Sequence, residues 1–205
     1  MVGDVCFSPR SGLHNEAHDA VVGTRRGNED HDTPIDHMEY TIRPVEEDDA
    51  EAIIALLNPI IEAGTWTIMQ EVITIQEQRS FIRGFPARGI FHAAVSKREG
   101  RVLGIQDLMP RANDATTFHH IGEISTFVAI DSHRRGIGHA LMLSTLEATA
   151  GRGFMKVSAT IRADNPGAVA YYTSEGFRVI GRAEMHAFVG GRFIDEILAE
   201  RLLPG

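Results

Sequence analysis

The chain of 205 residues is long enough for one domain with a sizeable core, and its 43% hydrophobic and 23% charged residues are ordinary values for a globular protein. Because 28 acidic residues outnumber 20 basic ones, a general nucleic-acid binder is excluded, and any local basic cluster favours a small anionic ligand. Cys6 is the single cysteine, so we expect no intramolecular disulfide, no cysteine-based zinc site and a cytoplasmic location. No apolar run is long enough to span a membrane, so we expect no membrane partner.

Residues 1–38 differ in composition from the remainder of the chain. They are rich in Gly, Asp, Asn and His and lack any sustained strand or helix periodicity. We therefore expect a flexible N-terminal extension, followed by one domain over residues 39–205. His14 and His18 would share one face of a helix, but the Pro-Cys-x-x-Cys partner of a zinc deaminase is absent, and we expect no metal.

The first half of the domain predicts a strand, two helices and a hairpin. These lie over residues 40–45, 46–61, 75–83 and 89–109. The first helix has acidic residues in its first turn and apolar residues at helical spacing, and Pro59 should kink or restart it. Thr74 is the expected cap of the second helix.

The second half predicts a long strand over residues 119–130, a helix over 136–150, a strand over 155–161, a helix over 165–176 and two final strands over 177–188 and 192–203. Gly122 within the first of these strands indicates a bulge or a close contact. Gly190 and Gly191 predict a two-residue hairpin turn. The order of elements favours a mixed α/β (α+β) fold, with a largely antiparallel central sheet, a βαβ unit and flanking helices.

The stretch SHRRGIGHALM, residues 132–142, combines basic residues with a Gly-Ile-Gly step at the start of a helix. Gly136 and Gly138 let backbone N–H groups approach a ligand at the positive end of the helix. Arg134 and Arg135 add positive charge. The pattern therefore predicts a phosphate or pyrophosphate site, although a tight turn with solvated arginines would have the same sequence.

Two segments resemble the main motifs of the Gcn5-related N-acetyltransferase (GNAT) superfamily, and the resemblance spans about residues 40–203. AIDSHRRGIGHAL resembles the R/Q-x-x-G-x-G/A motif, and NPGAVAYYTSEGF resembles the second motif. The resemblance implies the GNAT fold and acetyl-CoA as co-substrate. It implies that the pyrophosphate binds at His133, Arg134, Arg135, Gly136, Ile137, Gly138 and His139. His133 stands where Arg or Gln is usual, so the arginines that follow it must compensate.

Within the superfamily, the chain is similar to the phosphinothricin and methionine-sulfoximine acetyltransferases. The similar segments are LLNPIIEAGTWT, GFPARGIFHAAV, GEISTFV and GGRFIDEILAERLL. This implies a small primary amine as acceptor, an amino acid or an analogue, and a homodimer. The segment after Thr65 reads WTIMQE in place of the usual Phe and acidic residue, so the usual substrate does not transfer to this chain. Trp66 is expected in the acceptor pocket, or else as a buried structural residue.

Acetyl transfer needs a neutral amine and a protonated leaving thiolate. Glu123 matches the Glu of the group's E-x-S/T-x-Y/F-V segment and is the candidate general base, unless it only faces solvent. His119 and His120 are alternatives and, as adjacent strand residues, should face opposite sides. Tyr172 is the candidate general acid by its place in the second motif, or a packed core aromatic.

The resemblance also assigns backbone and cap residues to the co-substrate. The backbone of Thr126, Phe127 and Val128 should pair with the pantetheine arm, and one of these N–H groups should polarise the thioester oxygen. Asn165 is expected to hydrogen-bond the same arm, to cap its helix, or both. A peptide or protein amine as acceptor remains a second hypothesis, and an acyl-CoA-binding sensor without catalysis is a third.

Overall fold

A computed structural model describes residues 39–111 and 116–204, so the extension predicted over residues 1–38 lies outside the described residues. The strands are Tyr40–Pro44 (β1), Ile90–Ser96 (β2), Val102–Pro110 (β3), Ile121–Val128 (β4), Lys156–Arg162 (β5), Arg178–Val189 (β6) and Arg192–Leu202 (β7). The helices are Ala50–Ala63 (α1), Ile75–Arg83 (α2), Ile137–Ala148 (α3) and Pro166–Ser174 (α4). The strands form one sheet in the order β1-β2-β3-β4-β5-β7-β6. Neighbouring strands are antiparallel except for β4 and β5, which are parallel. This confirms the expected mixed α/β architecture.

Local sequence signals account for several of these boundaries. Thr74 caps α2 as expected, and its side chain accepts a hydrogen bond from the Glu77 N–H. Gly190 and Gly191 form the predicted two-residue turn, both with positive φ (56° and 80°), as this type of hairpin requires. Pro59 neither ends nor restarts α1, which continues to Ala63.

The prediction for the start of β4 was wrong. The strand begins at Ile121, and His119 and His120 lie in a turn before it. Their rings contact each other, with centroids 5.8 Å apart, so they do not face opposite sides of a sheet. The close contact expected at Gly122 is confirmed, because a Cβ there would come within 2.7 Å of the Leu108 side chain.

The two faces of the sheet carry different helices. Ile105 and Phe127 belong to the core beneath α1 and α2, whereas Leu108 and Ile124 belong to the core beneath α3 and α4. Odd-numbered residues in the centre of β3 and β4 therefore face α1 and α2, and even-numbered residues face α3 and α4. Within the described residues, no helix is long and apolar enough to cross a membrane.

Candidate active site

Strands β4 and β5 are paired only near their starts. The parallel pairing runs from Ile121 beside Lys156 to Glu123 beside Ser158, while β4 continues along β3 as far as Val128. The Ala129 N–H donates to Leu103 on β3, and backbone polar groups alternate sides along a strand. The N–H and C=O of Thr126 are thus directed toward the β5 side, where the two strands have separated.

The loop between β4 and α3, residues 129–136, leads directly from this separation to the start of α3. Arg134 and Gly136 both have positive φ, 59° and 75°. Gly136 is the N-cap of α3, no side chain caps the helix, and its first turn holds no acidic residue. Because the first N–H groups of a helix have no partner within it, this end of α3 favours an anion. Arg135 lies at the same place, paired with the exposed Glu39 at 2.7 Å.

The two glycines of the Gly-Ile-Gly step meet different surroundings. A Cβ at Gly136 would have only the Tyr40 hydroxyl nearby, at 3.8 Å, so the space beside this backbone is open. A Cβ at Gly138 would lie 3.0 Å from the Tyr171 ring. Tyr171 also donates a hydrogen bond to the Gly138 carbonyl, at 2.8 Å. Gly136 therefore leaves room for a ligand, whereas Gly138 allows α3 to pack against α4.

His133 turns back toward the strand that precedes it. Its Nε2 lies 3.1 Å from the Val128 carbonyl oxygen, and its ring meets the Trp66 ring edge to face, with centroids 6.2 Å apart. Burial lowers the pKa of His133, so the ring is neutral at pH 7 and Nε2–H is the donor. The residue at the position of the usual Arg or Gln thus holds the loop against the end of β4.

A buried polar network joins β3, β4 and α4 on the α3/α4 face. Gln106 Nε2 donates to Thr126 Oγ1 at 2.8 Å, and Thr126 Oγ1 lies 3.2 Å from the Tyr172 hydroxyl. Tyr172 is fully buried and packs edge to face against Tyr171 and Phe177. The predicted general acid is therefore both a core aromatic and a hydroxyl bonded to the strand that borders the β4–β5 separation.

The remaining residues predicted at the co-substrate lie on α3 and α4. Asn165 is buried, and its Oδ1 accepts the Ala168 N–H at 3.1 Å, so it caps α4. His139 Nδ1 lies 3.0 Å from the carboxylate of Glu175, at the end of α4. The contact between His139 and Glu175 thus links the first turn of α3 to the end of α4.

On the opposite face, Glu123 is 40% exposed and lies 3.7 Å from Arg111 Nε. Ser125, two residues further along β4, is buried and pairs in register with Asp107 of β3. Burial raises the pKa of Asp107 to about 7, against hydrogen bonds from the Ser125 hydroxyl and from its own backbone N–H. Asp107 was missed in the sequence, where its one signal is a lone acid in the apolar strand LGIQDLM.

Trp66 lies in the segment between α1 and α2, where it is 7% exposed and packs with the α1 core. This segment is held by Arg162 at the end of β5, a second residue that the sequence did not reveal. Arg162 is buried, donates to the carbonyls of Gly64 and Thr67, and forms a two-pronged ion pair with Asp164. Within residues 39–111 and 116–204, no three His, Cys, Asp or Glu side chains gather as metal ligands would.

A family model for the acetyltransferase (GNAT) domain matches residues 42–198. The chain belongs to the GNAT acetyltransferase family. The phosphinothricin N-acetyltransferase of Alcaligenes faecalis is 24% identical over 164 residues, which cover 80% of this chain and 82% of that protein. The phosphinothricin N-acetyltransferase of Streptomyces coelicolor is 27% identical over 168 residues, which cover 80% of this chain and 97% of that protein.

Solved structures show the same fold. A GNAT superfamily phosphinothricin acetyltransferase from Sinorhizobium meliloti, in complex with AcCoA, matches with a TM-score of 0.74 at 22% identity and covers 81% of this chain and 89% of its own. A ribosomal-protein-alanine N-acetyltransferase from Brucella melitensis matches with a TM-score of 0.72 at 24% identity. The match covers 80% of this chain and 99% of that chain. The fold and family expected from the two sequence motifs are confirmed, and this GNAT chain is an N-acetyltransferase.

Proposed function

We propose that this GNAT chain transfers the acetyl group of acetyl-CoA to the primary amine of a small molecule, an amino acid or a close analogue. The observation that carries the proposal is the uncapped start of α3, which follows directly from the strand that separates from β5. A pyrophosphate fits the first feature and an extended, amide-containing arm fits the second.

Residues 133–139, at the end of the loop between β4 and α3 and in the first turn of α3, would hold the pyrophosphate. Gly136 leaves its backbone open, and Arg134 and Arg135 supply positive charge. The Tyr40 hydroxyl beneath this loop is buried and has no hydrogen-bond partner in the part of the chain that the structure describes. An anion at the helix start would offer it one, which supports the fit.

The backbone of Thr126, Phe127 and Val128 would bind the pantetheine arm, with Asn165 donating from α4. An N–H of β4 directed toward β5 would then face the thioester oxygen. The Tyr172 hydroxyl, bonded to Thr126, would lie beside the leaving sulfur as its proton donor. Bound acetyl-CoA supplies the acetyl group, and these residues orient it.

The acceptor would bind on the α1/α2 face, where Glu123 offers a carboxylate and the segment with Trp66 borders the sheet. Both curated relatives are phosphinothricin N-acetyltransferases, which supports a small amine with an amino-acid backbone. Because the segment after Thr65 reads WTIMQE in place of the usual Phe and acidic residue, the preferred acceptor is expected to differ from that of the group.

The test is a thiol-release assay with acetyl-CoA and a panel of amines: the common amino acids, phosphinothricin, methionine sulfoximine and short peptides. We expect turnover on at least one free amino acid or analogue. Turnover on peptides alone would replace this acceptor class with a peptide N-terminus or lysine. Acetyl-CoA binding without release of thiol on any amine would identify a sensor and overturn the proposal.

We further propose a cytoplasmic homodimer joined through the β6–β7 hairpin. Phe188 and Phe193 pack against each other across the hairpin, yet each is more than half exposed, as is Met185. Apolar side chains exposed on an edge strand are typical of an interface. The hairpin turn also touches the segment between α1 and α2, since the Gly190 N–H donates to the Gln70 side chain.

A further inference from the structure

Asp107 is an acidic side chain in the centre of the sheet that none of the roles above uses. Its register partners are Phe91 on β2 and Ser125 on β4. By the alternation along β3, it lies on the α1/α2 face, the same face as Glu123. It keeps partial solvent access, although burial raises its pKa to about 7. Asp107 is thus a largely buried acid that solvent can still reach.

Glu123 and Asp107 are diagonal neighbours across two paired strands, because Glu123 lies two residues before Ser125. Such neighbours have Cα atoms roughly 7–8 Å apart, a separation that a single ammonium group can bridge. The two carboxyl groups differ in their partners. Glu123 is paired with Arg111 and is 40% exposed, whereas the Asp107 carboxyl accepts a hydrogen bond from the Ser125 hydroxyl.

Other charged groups on the elements over this face are mostly exposed. On α2, Arg79 is half-buried, and Arg83 pairs with Glu47. The exposed acids of the two helices are Glu51, Glu62 and Glu77. None of them contributes to the pKa of Asp107, which burial raises and the hydrogen bonds from the Ser125 hydroxyl and from its own backbone N–H lower.

Resting on the proposed function, we infer that Asp107 accepts the proton that the acceptor's ammonium group loses before it attacks, and that Glu123 holds the ammonium beside it. A base works best when its pKa is close to the working pH, and the pKa of Asp107 meets this condition. Glu123, held by Arg111 and open to water, is better suited to attract the cation. In this inference, Asp107 takes the general-base role expected of Glu123, and Glu123 binds the ammonium group.

The step balances without a further reactant. The ammonium gives one proton to the Asp107 carboxylate, and the neutral amine forms a C–N bond to the thioester carbon. The C–S bond then breaks and the Tyr172 hydroxyl protonates the leaving thiolate. The second proton lost by the nitrogen restores the Tyr172 hydroxyl. The proton on Asp107 passes to solvent and resets the site.

The experiment compares kcat/KM with the best amine of the panel, from about pH 5 to about pH 10, for the wild-type chain and Asp107→Asn. The wild-type rate should fall as the pH drops through about 7, because protonated Asp107 cannot accept a proton. Asp107→Asn should lose roughly 100-fold at pH 7. This deficit should shrink as the pH approaches the pKa of the amine, since solvent then supplies neutral amine. A deficit that is constant with pH would overturn the inference and leave Asp107 a structural partner of Ser125.

Three further variants separate the roles. Glu123→Gln should mainly raise KM, and its kcat/KM should still fall as the pH drops through about 7. Ser125→Ala removes a hydrogen bond that lowers the pKa of Asp107, so the fall in kcat/KM should begin at a higher pH. The exposed Asp48→Asn is the matched acid-to-amide control and should behave as wild type. If the fall in kcat/KM near pH 7 disappears in Glu123→Gln instead, Glu123 is the base and Asp107 is not.

Stability provides a readout that needs no substrate. The pKa of Asp107 is raised in the folded state, so its protonation stabilises the fold at low pH and this stabilisation is lost as the pH rises through about 7. The melting temperature of Asp107→Asn relative to wild type should therefore increase between about pH 5 and about pH 8. A difference that does not vary with pH would show that Asp107 does not titrate there.

A wild-type chain that releases no thiol with any amine would overturn the proposed function itself, whereas an active wild type with an unaffected Asp107→Asn would overturn this inference alone.

Discussion

Helices α2 and α3 begin in opposite ways. At α2, the Glu77 N–H donates to Thr74 Oγ1 at 3.3 Å, and the Glu77 carboxylate accepts the Thr74 N–H at 2.9 Å. At α3, the cap is Gly136, which has no side chain to offer, and no acidic residue follows in the first turn. The chain closes one helix start with its own side chains, whereas no side chain caps the first backbone N–H groups of the other.

The charges beside the two helix starts differ in the same sense. Glu77 is an anion at the positive end of α2, an arrangement that stabilises a helix. Arg134 and Arg135 stand beside the positive end of α3, where cations are unfavourable on their own. A bound polyanion reverses that sign, because it interacts favourably with both the helix end and the arginines. Because the residues at the start of α3 do not favour helix stability, they support the proposal that a polyanion binds there.

Helix α4 is intermediate between the two. Asn165 closes its start with one side-chain hydrogen bond, and Pro166 occupies the first helical position. This cap uses only the Oδ1 of the Asn165 side chain. The three starts therefore form a series from fully capped to open.

Replacing the cap of α3 tests the comparison most severely. In Gly136→Glu, a carboxylate would stand within roughly 5 Å of the proposed pyrophosphate, which costs about 3 kcal/mol at an effective dielectric constant near 20. Acetyl-CoA affinity should therefore fall at least about 100-fold, as measured by calorimetric titration. Unchanged affinity would show that the co-substrate does not bind at this helix start.

Two variants control for strain and charge. Gly151, in the turn after the opposite end of α3, has a φ of 74° and open space around its Cβ position, much as Gly136 does. Gly151→Glu therefore introduces a similar backbone strain and the same charge away from the site, and should leave the affinity unchanged. Gly136→Ala introduces the strain without the charge and should cost about 1 kcal/mol of stability with a much smaller loss of affinity.

The start of α3 could be predicted from the sequence because its signals are local. Glycines, arginines and the end of a strand are adjacent in SHRRGIGHALM, and the second motif is equally compact. The fold class and the cap of α2 were predictable for the same reason. The start of β4 was not, because HH and IGEI have similar strand-forming character and the preceding turn decides the boundary.

The α1/α2 face of the sheet was harder to predict because its interacting residues are distant in the chain. Asp107 meets Ser125 only through the register of β3 and β4, and Arg162 reaches Thr67 only through the fold of the α1–α2 segment. The role of His133 shows the same limit. Its place in the motif suggested an anion ligand, but its ring bonds to the carbonyl of Val128 and contacts Trp66.

A change at α4 should have an intermediate effect. Asn165→Ala removes a cap, which costs about 1 kcal/mol in the free energy of unfolding, and removes the proposed donor to the pantetheine arm, which should weaken acetyl-CoA binding roughly threefold to tenfold. Denaturant unfolding and calorimetric titration measure the two losses. Asn165→Ser keeps the capping oxygen on a shorter side chain, so it should restore stability but not affinity. If Ser restores both, Asn165 is only a cap.

The smallest effect is expected at α2, and it concerns stability alone. Thr74→Ala should cost about 1 kcal/mol and lower the melting midpoint by roughly 2–4 °C, while acetyl-CoA affinity and thiol release stay at wild-type values. Thr74→Ser keeps the cap and is the matched control.

Hydrogen bonds from Thr74 lower the pKa of Glu77, so the Glu77 half of this cap is present at neutral pH and lost as the pH falls through its lowered pKa. The stability gap between wild type and Thr74→Ala should therefore narrow in acid. A loss of acetyl-CoA affinity in Thr74→Ala would instead place both helix starts in one binding site and end the contrast between them.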